Sequence, residues 1–194
     1  MITARNPDVG FASAVAATLL LVPILAAADT AAADASPALV DRGRYLVTTS
    51  GCHDCHTPLK MGEAGPEPDM SRMLSGHPES FVIAAPPANP GEEWMMVAAR
   101  TMTAFSGPWG MSFTANLTPD DETGLGRWTL QNFKDTIRSG RHMGRGRPIL
   151  PPMPIPMYKN FNDADFEAIY AFLRSIPPVR NRVPEPLPPA TQEK

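Results

Sequence analysis

The stretch Gly51-Cys52-His53-Asp54-Cys55-His56-Thr57 decides how this 194-residue chain is read. It contains both of the cysteines in the sequence, so no disulfide can brace the rest of the fold unless these two pair with each other. In a helical turn, residues i and i+3 lie on one side, and both sulfurs then face the same way. From there they can add to the two vinyl groups of one porphyrin, while the next residue, His56, brings its imidazole to the iron from the same face. The spacing therefore predicts one covalently attached haem c, bound through Cys52, Cys55 and His56, with His56 as an axial iron ligand. His53, between the cysteines, is expected to point away from the iron.

Two other chemistries use paired cysteines. Structural zinc needs four ligands, usually as a second paired cluster, and the sequence contains none. A thioredoxin-like dithiol sits among alternating strands and helices, and no such pattern surrounds Cys52 and Cys55.

An iron that only passes electrons works best with both axial positions filled, and a thioether there raises the potential relative to a second histidine. The chain has 11 methionines, and methionine more often fills gaps in a core than binds metal, so position has to decide. Met153 lies in Pro151-Pro152-Met153-Pro154, a loop stiffened on both sides immediately ahead of the last helical pattern. Its backbone needs little further ordering, which makes it the favoured second iron ligand. Met157 shares the loop, while Met143, Met111, Met102 and Met73 lie in less constrained surroundings. His77 and His142 are the nitrogen alternatives, and both are expected at the surface.

Outward from the motif, residues 37–49 mix Ala38, Leu39, Val40, Tyr45, Leu46 and Val47 with Asp41, Arg42 and Arg44, the pattern of a short amphipathic helix. Residues 57–110 are broken repeatedly by glycine and proline and read as mostly loop, with short helical pieces around 70–74 and 93–104. Thr118-Pro119-Asp120-Asp121 and Thr123-Gly124-Leu125-Gly126 form a turn; its acidic residues lack the alternating ligands of a calcium loop. Thr129 caps a helix that runs to Ser139 and stops at Gly140, with Leu130, Phe133 and Ile137 as its buried stripe. Asn162 or Asp163 caps the last helix, where Phe166, Ile169, Tyr170 and Leu173 recur at helical spacing before Pro177-Pro178. The fold class is thus mostly α: a few helices around one haem, with a long loop-rich insertion at about 57–110.

Composition agrees. Apolar residues make up 43% of the chain but aromatics only 7%, with 23 prolines and 14 glycines, so a bound cofactor would complete a thin core. The net charge is −3 without any run of basic residues, which gives no footprint for nucleic acid. Residues 9–28 are almost wholly apolar and lead into an alanine-rich tract, so 1–35 reads as a signal peptide or an N-terminal membrane anchor. The expected domain is 36–180, followed by an extended proline-rich tail at 181–194, in an exported, periplasmic protein.

The order Cys52 to His56, then Asn116-Leu117-Thr118-Pro119-Asp120 through Thr123-Gly124-Leu125-Gly126-Arg127-Trp128-Thr129, then Met153-Pro154 before a C-terminal helix resembles the class I c-type cytochromes. It is most similar to the cytochrome subunits of bacterial alcohol and gluconate dehydrogenases, over roughly residues 38–180. The resemblance implies a cytochrome c-like fold, His56 and Met153 as axial ligands and Trp128 near the haem rim. Those subunits carry three haem motifs in a longer chain, whereas one is present here. The expected role is non-enzymatic: a mono-haem carrier moving single electrons between periplasmic or membrane redox partners. The alternatives are a haem-bearing subunit of a dehydrogenase or oxidase complex, and a ligand-binding or peroxidase-type haem protein.

Overall fold

A computed structural model describes Met1 and residues 35–85 and 93–189; the apolar segment at 9–28 lies outside them. Helix α1 (Pro37–Thr49) starts where Ser36 Oγ accepts from the Leu39 amide and proline occupies the first turn, a position where its missing N–H costs nothing. Gly51, at φ 72°, turns the chain into the single-turn helix α2 (Cys52–His56). Strands β1 (Leu59–Gly62) and β2 (Gly65–Pro68) form an antiparallel hairpin. Strands β3 (Val97–Ala98), β4 (Ala104–Gly107) and β5 (Gly110–Phe113) form a three-stranded antiparallel sheet in that order.

Helix α3 (Leu130–Ser139) opens on a reciprocal capping box between Thr129 and Asn132 and ends at Gly140 in the left-handed region. A short turn, α4 (Ile155–Tyr158), leads into α5 (Asp163–Ser175), whose cap is Asn162, accepting from the Asp165 amide at 2.8 Å. The stripe read from sequence on α5 is buried, and Ala168, Ala171 and Phe172 are buried with it. That wider burial follows from the helix being covered by α1 on one side and α3 on another.

The α1–α5 contact depends on Gly43. A Cβ there would lie 1.9 Å from the Ala168 carbonyl oxygen and 2.7 Å from the Phe172 Cβ, so only glycine allows this approach. Gly43→Val is expected to force the helices apart and cost about 1–3 kcal/mol or more, the range for overpacking, measurable by urea denaturation.

The insertion differs from its reading. Residues 70–72 do form a short 3-10 turn, but the expected helical piece at 93–104 is absent: its described residues give β3 and the start of β4. Strands of two to four residues are too short to show an alternating pattern, and the glycines that look like loop breakers are hairpin positions. Gly65 (φ 122°) and Gly110 (φ 94°) occupy backbone regions closed to other residues.

The described part of the tail is extended but tied down. Leu187 exchanges backbone hydrogen bonds with Met111 at 2.8 and 2.9 Å. Asn181, 1% exposed, donates to the Ser75 and His77 carbonyls and accepts from the Arg72 guanidinium and the Glu79 amide, at 2.7 to 2.9 Å. Its carboxamide thus satisfies four groups of the insertion at once. Asn181→Leu would strand several of them without water, at about 1–3 kcal/mol each. A stability loss of roughly 3–5 kcal/mol is expected in chemical denaturation, with the tail becoming sensitive to proteolysis.

Candidate haem-attachment site

The site is built on the turn between α1 and α2. Gly51 redirects the chain, and α2 then carries Cys52 and Cys55 one turn apart, both partly buried and neither in a disulfide. Burial pushes the Cys52 thiol up to about 11 and raises that of Cys55 as well. A redox dithiol works through a lowered thiol pKa, so these shifts run against that chemistry.

His56 is buried, and its Nδ1 lies 2.8 Å from the Ala115 carbonyl oxygen. A carbonyl only accepts, so Nδ1 carries the proton and Nε2 keeps its lone pair, the tautomer that ligates metal. Burial lowers the His56 pKa, opposed by the bond to Ala115, and the ring stays neutral. Ala115 is positioned by the strand that precedes it and by two backbone bonds: His77 N–H to the Thr114 carbonyl at 3.0 Å and Leu117 N–H to the Leu74 carbonyl at 2.9 Å. No sequence signal marks Ala115, because its contribution is a main-chain oxygen. His53 is engaged elsewhere, through Nδ1 and Thr57 Oγ1 at 3.0 Å.

Met153 is partly buried and packs against the core cluster, as do Cys52, Trp128, Leu130, Tyr158 and Phe161. Its loop is anchored where Ser112 Oγ donates to the Pro151 carbonyl. Met157 is 70% exposed and makes no such contact with the core. Met111 is buried within β5, Met73 packs partly buried on the core, and Met102 and Met143 have positive φ in turns.

His77 departs from its expected surface position. It is fully buried, with Nε2 donating to the Phe81 carbonyl at 2.8 Å and Nδ1 accepting from Thr103 at 3.0 Å, so both nitrogens are used. Its surroundings come from the unexpected β-sheet, which is why its burial was not legible. His142 is exposed and meets the ring of Trp128 edge-on at 5.3 Å.

Trp128 is held by its own backbone as well, its carbonyl accepting from Tyr170 at 2.6 Å. The acidic turn ahead of it is structural: Asp120 Oδ1 accepts from the Thr123 hydroxyl and amide and from the Glu122 amide, and the Thr123 bonds hold its carboxyl below the usual range. Tyr158 is a residue that the sequence reading missed. Its hydroxyl donates to the Ser50 carbonyl, at the entrance to the haem motif, and burial pushes its pKa up to about 12.

The donor set fits haem c: two thiols on one helical turn, a neutral buried imidazole with Nε2 available, and a partly buried thioether in a stiff loop against the same apolar wall. Among the described residues no group of three or more His, Cys, Asp or Glu side chains is arranged to hold a metal ion. No described helix is long and apolar enough to cross a membrane.

No family model matches the chain. Similar curated proteins include a subunit of nicotinate dehydrogenase from Pseudomonas putida, 31% identical over 77% of this chain and 10% of that protein. The cytochrome c subunit of a quinone-dependent alcohol dehydrogenase from Gluconobacter oxydans is 30% identical, over 79% of this chain and 25% of its own length. The cytochrome c subunit of gluconate 2-dehydrogenase from Pantoea cypripedii is 29% identical, over 82% and 28%. The chain thus spans between a tenth and little more than a quarter of the length of these relatives.

Proposed function

Since the chain is a relative of cytochrome c subunits of bacterial dehydrogenases, we propose that it is a mono-haem c-type cytochrome with a cytochrome c-like fold. It would transfer single electrons between redox partner proteins and catalyse no reaction of its own. Haem c supplies the chemistry, a one-electron change at iron. Cys52 and Cys55 would hold the porphyrin by thioether bonds, and His56 would ligate through Nε2 with its ring angle set by the bond to Ala115. Met153 would supply the second protein ligand from a partly buried position against the apolar core. The observation that carries this reading is the His56 tautomer set by Ala115, directly beside two free, partly buried thiols on one turn.

A potentiometric titration of the purified protein tests it. The expected curve is a single one-electron transition, with a reduced spectrum unchanged by carbon monoxide. A reduced iron that binds carbon monoxide readily would favour the peroxidase or ligand-binding alternative.

A second reading makes the chain an electron-transfer subunit of a dehydrogenase complex, favoured by the naming of its relatives as subunits. Co-purification of a catalytic partner from the native source would distinguish it from a free carrier. Either role suits export to the periplasm, free or held by the N-terminal segment.

A further inference from the structure

The elements expected to ligate the iron lie far apart in sequence, and one side chain joins them. Tyr158 ends α4, where its amide donates to the Pro154 carbonyl at 3.1 Å, and the Ile155 amide donates to the Met153 carbonyl at 2.9 Å. Its backbone is therefore tied to the Met153 loop within one turn. Its hydroxyl reaches across the molecule to donate to the carbonyl of Ser50, the C-cap of α1 and the second residue before Cys52. The phenol is braced from behind: it stacks on Phe161 at 5.6 Å, and Phe161 meets Phe166 edge-on at 5.9 Å. Phe166 is 1% exposed, so the brace ends in the rigid core. Other contacts carry the loop elsewhere: Ser112 holds Pro151 to β5, and Gly140 meets Ile155. Neither reaches the cysteine turn.

We propose that Tyr158 is a positioning residue, its hydroxyl clasping the Met153 loop to the Cys52–His56 turn so that the thioether stays on the iron. This rests on the axial-ligand reading above. Without the hydroxyl, Met153 keeps its packing but loses its tether to the opposite ligand, and an external ligand competes with it more easily.

The test uses full-length haem-loaded Tyr158→Phe, which removes one oxygen and keeps the stacked ring. Imidazole is titrated into the ferric protein, and the loss of the long-wavelength sulfur-to-iron band is followed. Imidazole should bind ~tenfold more tightly than to wild type, the equilibrium share of one hydrogen bond, with the haem still covalently attached. Ile176→Val, which trims a buried side chain at the far end of α5, serves as a general destabiliser and should leave imidazole affinity within twofold. Unchanged affinity in Tyr158→Phe overturns the clasp, as does an equal gain in Ile176→Val. If Met153→Ala leaves the wild-type band intact, or no such band exists, the axial-ligand reading itself is wrong and the clasp falls with it.

Discussion

Met153→Ala is expected to leave the haem attached while opening the sixth position of the iron. The thioether bonds at Cys52 and Cys55 form independently of that ligand, so the porphyrin stays in place. The iron becomes five-coordinate or takes up water, and carbon monoxide then binds the reduced form readily. A thioether ligand favours ferrous iron, so its loss should also lower the potential, by about 0.1 V or more within the ~0.8 V range that axial ligation commands. Alanine in place of a partly buried methionine costs about 2–3 kcal/mol of packing at most, which the fold should survive. Met157→Ala provides the internal comparison. That side chain is 70% exposed, and its removal should change neither spectrum nor potential.

The double substitution Cys52→Ala, Cys55→Ala is expected to abolish covalent attachment altogether. Each thiol acts as a small, partly buried apolar group, and trimming it to alanine removes one sulfur atom, a packing loss of about 1 kcal/mol per site. His56 and its bond to Ala115 remain, so any haem that enters is held by ligation alone. Acidified organic solvent, which protonates the histidine, should then extract essentially all of it. The same treatment should extract essentially none from the wild type. The double variant thus separates attachment from ligation, as Met153→Ala separates ligation from attachment.

The legible and illegible parts of this protein differ in how local their causes are. Helices α1, α3 and α5 were readable because Pro37, Thr129 with Gly140, and Asn162 are start and stop signals acting within one turn, and their apolar stripes repeat over ten residues or more. The cysteine turn was readable for the same reason, since i, i+3 geometry is local. The sheet within 57–110 was not, because β3 and β4 owe their existence to partners across a hairpin rather than to their own two to four residues. His77 followed the sheet: its burial depends on Thr103 and Phe81, 26 and four residues away. Ala115 and Ser50 contribute main-chain oxygens, which no side-chain pattern reports. Asn116 likewise owes its place to a partner distant in sequence: it is buried and donates to the Val179 carbonyl, while accepting from the Thr118 amide.

The fit of α1 to α5 through Gly43 and the four-way Asn181 carboxamide share one physical consequence. Both tie a separate segment onto the body, α1 in the first case and the stretch beginning at Asn181 in the second. The Cys52–His56 turn is held between α1 and Ala115, and the Met153 loop is anchored to β5 through Ser112. In the proposed carrier, supports of this kind would keep ligand geometry constant between oxidation states and so lower the reorganisation that each electron transfer requires.

The most direct test of the central claim is the absorption spectrum of the purified protein, oxidised and reduced, combined with acidified-solvent extraction. A haem that resists extraction and gives a six-coordinate ferrous spectrum insensitive to carbon monoxide is the predicted result. A protein produced with haem-attachment machinery present that carries no haem, or only extractable haem, would contradict the account.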